Sequence, residues 1–470
     1  MRDIETSREL SYGAVGYTAA TLAQVLRPLE VQARVVALRL TDPMLYAAAI
    51  VACWECGAAA AILDPSSPLD KQQRQWSIAA PAAYICDDDE SGESSRTIDA
   101  RRIDSRSASP PITMRALGAE APALILFSSG STGEPKCVPL SFRNITSNVI
   151  AFNERLDITG ADVFLSVSPL WYAHGLYNAV LTALILGSHV VYHRALSLMT
   201  AEAILRDARD CGATVFHATP SMLAILSLIA GRTSEPLPAF RWVIAGTARL
   251  PARDKESFER LFHVPVTQQY GMTETLFMAV NHDHQVDKPA SVGRPVGCVV
   301  EVRGEDGGIL GPGHTGELFA RSTAAFGSYY RQGDETAAAY VDGWFRTGDL
   351  GGFDDDGCLT ITGRRKDIIK KAGFAIAPQE IDNVVMMYPG VIESATIGAP
   401  DELYGEEVYT FAAASSDVSE EDVLAHCRAH LRRTHLPKRI FLSAGLPKTV
   451  SGKIKKHELE ALLKGMLNGR

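Results

Sequence analysis

A nine-residue segment of the chain has the sequence Ser128-Ser129-Gly130-Ser131-Thr132-Gly133-Glu134-Pro135-Lys136 and directly follows the apolar run Leu124-Ile125-Leu126-Phe127. The apolar run predicts a buried strand, and the segment after it predicts a loop rich in hydroxyl groups and glycine that carries one lysine. Small residues let backbone N–H groups approach phosphate oxygens, while the hydroxyls and the Lys136 ammonium add donors and charge. The segment therefore predicts a phosphate-binding loop.

The position of the lysine distinguishes this loop from that of the common P-loop NTPases. In those proteins a glycine precedes the lysine and a serine or threonine follows it. Here Pro135 precedes Lys136, and Cys137 follows it. The sequence therefore does not predict an ordinary P-loop NTPase.

The loop resembles the phosphate-binding loop of the adenylate-forming superfamily, which contains acyl-CoA synthetases, adenylation domains and luciferases. Further segments match motifs of that family in the family's order. They are Cys56-Gly57-Ala58-Ala59-Ala60-Ala61-Ile62-Leu63-Asp64-Pro65, Tyr270-Gly271-Met272-Thr273-Glu274, Gly316-Glu317-Leu318, Gly343-Trp344-Phe345-Arg346-Thr347-Gly348-Asp349, Gly363-Arg364-Arg365-Lys366-Asp367 and Ser451-Gly452-Lys453. The resemblance covers the chain from about Leu10 onward.

The resemblance implies an enzyme that uses ATP and Mg²⁺ to activate a small carboxylic acid as an acyl-adenylate, with release of pyrophosphate. The acyl group then passes to a thiol, for which CoA is the first expectation. The alternative is a stand-alone adenylation enzyme that loads the phosphopantetheine of a carrier protein, or an amine. The sequence does not separate these outcomes, because all of them use the same adenylate. A catalytically silent nucleotide-binding protein is disfavoured, since Lys136, Glu274, Asp349 and Lys453 are all present.

The resemblance also assigns roles to the residues that would contact the nucleotide. Lys136 would hold the β- and γ-phosphates, Glu274 would ligate Mg²⁺ and Thr273 would contact the α-phosphate. The other expected nucleotide contacts are Ser128, Ser129, Gly130, Ser131, Thr132 and Gly133 at the phosphates, Tyr270, Gly271 and the Gly246-Thr247-Ala248 backbone at adenine, and Asp349 with Arg364 at the ribose.

Three residues near the C-terminus are assigned to the two half-reactions by the same resemblance. Lys453 would bridge the substrate carboxylate and the α-phosphate, which offsets their repulsion as the bond forms. Lys366 occupies the hinge position of a mobile C-terminal domain. Gly373 lies on the loop that would line the tunnel of the acceptor thiol.

The acid pocket is predicted from the segment Pro169-Leu170-Trp171-Tyr172-Ala173-His174-Gly175, with Met272 as a further lining residue. Tyr172 stands where the family usually has a histidine, and we expect it to act as an aromatic gate. Ala173 replaces the aspartate of amino-acid-activating relatives, which disfavours an α-amino acid substrate. His174 either faces the acid or packs in the core. A buried Arg249 guanidinium could pair with a second substrate carboxylate, and this too stays open.

Composition limits the classes of partner and compartment. The 470 residues carry 46 basic and 55 acidic side chains, a net charge of −9 that argues against a nucleic-acid partner. The most apolar stretch, from Leu176 to Leu186, is too short for a membrane span, and the N-terminus lacks the apolar core of a signal peptide. We therefore expect a cytoplasmic protein whose eight cysteines are free thiols.

Two sequence patterns that could bind metal are better explained otherwise. Cys53 and Cys56 form a lone CxxC in an alanine-rich stretch, which predicts a core helix rather than a zinc site. His282-Asp283-His284 is typical of an exposed loop. Likewise, Asp354-Asp355-Asp356-Gly357 predicts a hairpin turn.

Alternating apolar segments from Thr18 to Leu63 and from Leu124 to Val266 predict an α/β fold with parallel sheets covered by helices. Residues 87–118 predict a solvated loop, and a β-rich subdomain is expected from Val299 onward. A small α+β domain should follow, with strands near 391–398 and 407–413 and with helices that begin at Pro378 and near Ser419. We therefore predict an N-terminal domain over 1–363 and a mobile C-terminal domain over 364–470.

Overall fold

Largely parallel sheets flanked by helices form where the apolar segments alternate, so the predicted α/β class is confirmed. The computed structural model describes residues 1–3, 8–87, 96–102, 118–129, 135–193, 196–233, 235–282, 288, 290–448 and 454–468. The chain divides into two compact units. The larger unit contains Met1–Asp287, Pro295–Val299 and Arg321–Phe345, and the smaller unit contains Lys288–Arg294, Val300–Ala320 and Arg346–Arg470. The predicted boundary after Gly363 stays a prediction.

The first part of the chain contains fourteen strands and nine helices among its described residues. The strands are β1 Arg2–Asp3, β2 Arg8–Glu9, β3 Val35–Arg39, β4 Ala59–Ile62, β5 Ala83–Cys86, β6 Thr97–Asp99, β7 Pro122–Ser129, β8 Pro135–Ser141, β9 Val163–Ser166, β10 His189–Tyr192, β11 Val215–Ala218, β12 Trp242–Ala245, β13 Val266–Met272 and β14 Leu276–Val280. The helices are α1 Tyr12–Leu26, α2 Pro43–Glu55, α3 Leu69–Ala79, α4 Phe142–Arg155, α5 Ala173–Gly175, α6 Thr182–Leu186, α7 Ala201–Asp210, α8 Pro220–Ala230 and α9 Ala252–Phe262, with a π-helical segment at Leu176–Leu181.

The remainder contains strands of two to eleven residues and four helices among its described residues. These elements are β15 Arg294–Pro295, β16 Cys298–Arg303, β17 Gly316–Ser322, α10 Gly333–Ala339, β18 Tyr340–Val341, β19 Trp344–Phe353, β20 Leu359–Arg364, β21 Ile369–Lys371, β22 Phe374–Ile376, α11 Pro378–Met387, β23 Val391–Asp401, β24 Gly405–Ala414, α12 Glu420–His430, β25 Arg439–Ser443 and α13 Lys456–Asn468.

Two sheets form the framework of the larger unit. One has the strand order β6-β5-β3-β4-β7-β8, and the other has the order β15-β14-β13-β12-β11-β9-β10-β1-β2. Strands β9 to β13 pair in parallel, so their carboxyl ends lie at one edge of the second sheet. Ligands bind at this edge in open α/β sheets, and the loops after β12 and β13 are therefore placed to form a site.

The helix α2 confirms that the CxxC pattern belongs to the core. Cys53 lies within this helix and is fully buried, Cys56 follows its last residue, and both thiols are free. Burial raises the pKa of the Cys53 thiol well above its usual range, which disfavours the thiolate that a metal would need. The described residues contain no group of three or more histidine, cysteine or acidic side chains arranged to hold a metal.

One expectation about the loop at 87–118 is wrong for its middle part. Residues Thr97–Asp99 form β6, which pairs in parallel with β5 and places Ile98 opposite Ile85. Ile98 is buried. The sequence did not predict this strand, because a single apolar residue between two polar ones is too short a pattern to indicate one. Residues 88–95 and 103–117 lie outside the described part of the chain.

The smaller unit contains the predicted α+β arrangement. Its sheet has the order β22-β21-β24-β23, with β25 beside β24. Pro378 opens α11, and the Ser419 side chain caps α12 by accepting a hydrogen bond from the Asp422 amide. The predicted turn between β19 and β20 is also present, since Asp354 accepts a hydrogen bond from the Cys358 amide at 2.9 Å. In the part of the chain that the structure describes, no helix is long and apolar enough to cross a bilayer.

Candidate active site

The predicted phosphate loop lies between the antiparallel strands β7 and β8. Buried residues Leu124, Ile125 and Leu126 hold β7 in the sheet, and Ser128 pairs in register with Lys136 across the hairpin. Lys136 therefore stands on a strand, although the sequence predicted it on the loop, because β8 begins already at Pro135. Gly130, Ser131, Thr132 and Gly133 lie outside the described residues, as does the Ser129 side chain.

A cluster of four polar side chains brings this hairpin together with the predicted metal ligand. Ser128 Oγ donates a hydrogen bond to Glu274 Oε1 at 2.8 Å, and the Tyr329 hydroxyl donates to the same oxygen at 3.2 Å. Lys136 Nζ lies 3.5 Å from the Tyr329 hydroxyl and 4.7 Å from the centroid of its ring. Glu274 and Tyr329 are both buried. Burial, followed by the charge of Glu274 and the hydrogen bond to it, raises the pKa of Tyr329 well above its usual value.

These side chains fit a magnesium ion bound together with phosphates. Mg²⁺ prefers oxygen ligands and in nucleotide sites is held by one or two carboxylates while the phosphates and waters complete its shell. Glu274 supplies the carboxylate, and Lys136 supplies a positive charge in the same cluster. The arrangement can therefore hold an anionic phosphate chain beside a buried carboxylate and its metal.

Sequence reasoning missed Tyr329. It lies in Gly327-Ser328-Tyr329-Tyr330, far along the chain from both of its partners, and no local pattern distinguishes its hydroxyl from that of Tyr330. Only the fold brings it to Glu274 and Lys136, which are 55 and 193 residues away.

The predicted adenine-binding residues lie at the carboxyl ends of β12 and β13. Gly246 follows β12, and a Cβ there would lie 2.2 Å from Gln269 Nε2, so the Gln269 side chain would have to move to admit one. The next residue, Thr247, has a φ of 70°, a strained backbone conformation for threonine that is found most often at binding sites. Thr247 and Ala248 are exposed, whereas Tyr270 is half-buried.

A tight hairpin follows β13 and carries the remaining residues of this motif. At Gly271 an added Cβ would lie 2.1 Å from the Leu276 carbonyl oxygen, so the close approach of β14 requires glycine. Met272 and Thr273 are half-buried, and Glu274 lies in the turn before β14. The fold thus places the expected adenine contacts and Thr273, the expected α-phosphate contact, at the carboxyl ends of the adjacent strands β12 and β13.

The predicted acid-pocket segment forms a compact turn between β9 and the π-helical segment. His174 Nδ1 lies 3.0 Å from Ser168 Oγ, and the rings of Trp171 and Tyr172 are 6.5 Å apart. The Tyr172 hydroxyl donates a hydrogen bond to Asp64 Oδ2 at 3.1 Å. Asp64 was not among the predicted site residues, because it follows β4 and lies 108 residues before Tyr172.

His217 is a further histidine near this segment, and unlike His174 it was not among the residues predicted from the sequence. It is buried on β11, with its ring stacked against those of Phe164 and Phe277. Burial, together with the nearby His174, lowers the pKa of His217 to about 3, so this imidazole is neutral at physiological pH. His174 is half-buried.

Arg249 departs from its expected environment. The sequence allowed a buried guanidinium, but Arg249 is exposed, because it lies on the loop that leaves the sheet after β12. Leu250, the next residue, takes the buried position. If Arg249 binds a second carboxylate of the substrate, it does so at the protein surface.

Two predicted ribose contacts meet in the smaller unit. Asp349 on β19 pairs in register with Arg364 at the end of β20, and Arg364 Nε lies 3.0 Å from Asp349 Oδ1. The Asp349 amide donates to Thr347 Oγ1 at 3.1 Å, and Gly348 between them has a φ of 72°. Asp349 is buried, while Arg364 is exposed. A buried carboxylate is thus paired with a guanidinium that reaches it from the protein surface.

The predicted hinge and tunnel residues lie on neighbouring turns of the smaller unit. Lys366 is exposed in the short 3₁₀ turn Arg365–Asp367, and Asp367 accepts from Lys456 Nζ at 2.7 Å. Gly373 has a φ of 81° at the tip of the β21–β22 hairpin, where an added Cβ would meet no atom within 4 Å. Lys453 lies outside the described residues, as do Asp283 and His284 of the polar loop.

Comparison with known proteins identifies the family. The model of the AMP-binding enzyme family matches residues 2–330, and that of the AMP-binding enzyme C-terminal domain matches residues 380–453. The chain belongs to this family. It is an AMP-binding enzyme of the adenylate-forming superfamily, as the order of its motifs predicted.

Two curated relatives show how far the similarity extends. The chain is 30% identical to the 2-succinylbenzoate–CoA ligase of Bacillus velezensis over an alignment 474 positions long, which covers 98% of this chain and 94% of that enzyme. It is 35% identical to the oxalate–CoA ligase of Arabidopsis thaliana over 340 residues, which cover 71% of this chain and 66% of that enzyme.

Solved structures give the same result for the fold. MatB from Rhodopseudomonas palustris with bound ATP has a TM-score of 0.88 and 25% identity, covering 99% of this chain and 95% of that one. The O-succinylbenzoate coenzyme A synthetase of Bacillus subtilis, in complex with ATP and magnesium ion, has a TM-score of 0.85 and 25% identity, covering 97% and 95%. The fold shared with these two structures therefore covers nearly the whole length of this AMP-binding enzyme.

Proposed function

We propose that this AMP-binding enzyme is an AMP-forming acid–CoA ligase. It activates a carboxylic acid with ATP, releases pyrophosphate and transfers the acyl group from the adenylate to the thiol of CoA. The observation that carries the proposal is the cluster of Ser128, Lys136, Glu274 and Tyr329, which joins a cationic group, a carboxylate and two hydroxyls at the predicted phosphate loop. The relatives named as CoA ligases support CoA as the acceptor.

The chemistry of the first step explains why these groups are needed. A carboxylate oxygen attacks the α-phosphate, so two anions must be brought together while pyrophosphate leaves, and catalysis is largely positional and electrostatic. Lys136 would hold the departing phosphates, and Thr273 would contact the α-phosphate. Glu274 would hold Mg²⁺, which supplies positive charge to the phosphates when bound.

The remaining roles are proposals that rest on the family's motifs. Asp349, oriented by Arg364, would bind the ribose hydroxyls, and Tyr270 with the backbone of 246–248 would enclose adenine. Lys453 would bridge the substrate carboxylate and the α-phosphate. Lys366 and Gly373 would serve the second half-reaction, in which the C-terminal domain presents its hairpin loop to the thiol.

We infer further that the acid carries a second anionic group. Oxalate and 2-succinylbenzoate, the acids in the names of two relatives, are both dicarboxylic acids. The exposed Arg249 lies three residues beyond Gly246, at the same sheet edge as the proposed adenine contacts, and a guanidinium is suited to a carboxylate. No acidic residue lies between Pro169 and Asn178 to pair with an α-ammonium group.

Product analysis tests this proposal. The purified enzyme would be incubated with ATP, Mg²⁺ and CoA, and with each of a panel of monocarboxylic, dicarboxylic and α-amino acids, and the products identified by mass spectrometry. We expect acyl-CoA and AMP with a dicarboxylic acid. Adenylate without acyl-CoA would indicate the alternative acceptors, a carrier-protein thiol or an amine. Activity confined to monocarboxylic acids or to α-amino acids would contradict the inference that the acid carries a second anionic group. A cytoplasmic location also stays a prediction.

A further inference from the structure

We propose that Asp64 is a positioning residue of the acid pocket, which acts by fixing the ring of Tyr172 through a hydrogen bond to its hydroxyl. The inference rests on the proposed function, because it takes Tyr172 to border the carboxylic acid. Asp64 itself is not placed in contact with substrate. Its effect on the reaction would pass through the orientation of the Tyr172 ring.

The backbone of the Tyr172 segment is already fixed by its own contacts. The Tyr172 amide donates to the Pro169 carbonyl at 3.2 Å, and the Leu176 amide donates to the Tyr172 carbonyl at 2.9 Å. At Gly175 an added Cβ would lie 2.4 Å from the Pro169 carbonyl oxygen, so the turn closes tightly on itself. The proposed aromatic gate can therefore move mainly by rotation about the side-chain torsions of Tyr172.

Asp64 is a rigid acceptor for that side chain. Its Oδ1 accepts from the Ser66 amide at 2.8 Å and from Ser66 Oγ at 2.6 Å. Its Oδ2 accepts from Ser67 Oγ at 3.0 Å and from the Tyr172 hydroxyl at 3.1 Å. Three contacts from its own loop thus orient the carboxylate before the phenol binds to it.

The environment of Tyr172 strengthens this contact. The ring is half-buried, and burial, followed by the charge of Asp64 and the hydrogen bond to it, raises the pKa of Tyr172 well above its usual value. The phenol therefore stays protonated and remains a donor to a charged acceptor, which is the stronger class of hydrogen bond. A phenylalanine would fill the same space without this anchor.

A double-mutant cycle tests the inference. Tyr172→Phe, Asp64→Asn and the double variant would be compared by steady-state kinetics, with Tyr17→Phe and Asp70→Asn as matched controls on exposed positions of α1 and α3. We expect each single variant to raise KM for the acid about tenfold, the equivalent of one hydrogen bond to a charged group, while KM for ATP is unchanged. The double variant should be no worse than the more affected single variant, because both changes weaken the same contact: phenylalanine removes its donor, and asparagine removes the charge of its acceptor.

Several outcomes would overturn it. Asp64 would be shown only to stabilise its own loop by any of three results. The effects of the two single variants on KM for the acid could multiply in the double variant, KM for the acid and KM for ATP could change equally, or Tyr172→Phe could leave KM for the acid unchanged. Because Tyr172→Phe keeps the ring, it tests the idea even if Asp64→Asn fails to fold. If the wild-type enzyme activates no acid at all, the proposed function fails and the inference falls with it. If the wild-type enzyme is active and the double-mutant cycle gives one of these three results, only the inference about Asp64 is overturned.

Discussion

Ser128 Oγ and Glu274 Oε1 are joined by a hydrogen bond of 2.8 Å, although 146 residues separate them along the chain. This contact connects the strand that enters the predicted phosphate loop to the turn that carries the predicted magnesium ligand. Tyr329 donates to the same carboxylate oxygen, so the three side chains form one hydrogen-bonded group. A change in any of them should therefore alter how the enzyme binds its nucleotide.

Replacement of Tyr329 by phenylalanine tests this group directly. The variant keeps the ring over which Lys136 lies but removes the hydroxyl that donates to Glu274. We expect the binding of MgATP to weaken by about 1–2 kcal/mol, because a hydrogen bond to a charged acceptor is lost. KM for MgATP would be measured at saturating acid, with Tyr330→Phe as the control. Unchanged kinetics in Tyr329→Phe would remove its hydroxyl from the nucleotide site.

Removal of the Asp349 carboxylate should weaken nucleotide binding in a different way. Asp349 is buried, and its proposed partners on the ribose would be left without an acceptor. We expect Asp349→Ala to weaken ATP binding by about 1–3 kcal/mol. Titration calorimetry with ATP would measure the loss, and Asp355→Ala in the exposed turn after β19 is the control. Equal affinities in the two variants would argue against a ribose contact.

Lys453 and Gly373 should affect different half-reactions. We expect Lys453→Ala to slow adenylate formation by on the order of 10²–10³-fold, comparable to losing one oriented electrostatic donor. It should still convert supplied acyl-adenylate to thioester. Gly373→Leu should show the opposite pattern, because a side chain at a φ of 81° is strained and would obstruct the proposed tunnel.

Single-turnover assays of each half-reaction separate these effects, with Lys464→Ala on the exposed face of α13 as the control. Lys366→Pro should behave like Gly373→Leu, since proline fixes φ at the proposed hinge. Equal losses in both half-reactions for Lys453→Ala and Gly373→Leu would contradict the assignment of the two residues to different half-reactions.

The buried His217 predicts how stability depends on pH. Its folded-state pKa of about 3 lies below the ordinary value of 6.5, so between these values the unfolded chain binds a proton that the folded protein does not. The free energy of unfolding should therefore fall as pH decreases from 6.5 toward 3, by about 1.4 kcal/mol per pH unit from this group alone.

Replacement by phenylalanine removes that contribution. The centroid of the His217 ring lies 6.3 Å from that of Phe164 and 5.8 Å from that of Phe277, so His217→Phe keeps an aromatic ring among aromatic neighbours while it removes the proton-binding group. Urea unfolding would give the free energy of unfolding at several pH values between 4 and 7. This free energy should change less with pH in the variant than in the wild type. His314→Phe, at an exposed position, is the control. A slope identical to that of the wild type would show that His217 does not set the acid sensitivity.

The sequence predicted those parts of the fold that local pattern determines. The run Leu124-Ile125-Leu126 became a buried strand, Pro378 opened a helix, and Asp354 formed a hairpin turn. The contacts of Tyr329 with Glu274 and of Asp64 with Tyr172 could not be predicted, since each depends on which strands the fold brings together. Arg249 was misjudged for the same reason, because its burial depends on where the loop leaves the sheet.

Acid-dependent exchange between ATP and radiolabelled pyrophosphate tests the proposed chemistry most directly. The enzyme would be assayed with Mg²⁺ and a dicarboxylic acid, and the same reaction with CoA added would be analysed for its nucleotide product. We predict exchange that requires both the acid and Mg²⁺, and accumulation of AMP once CoA is present. Formation of ADP, or exchange that proceeds without any acid, would contradict the account.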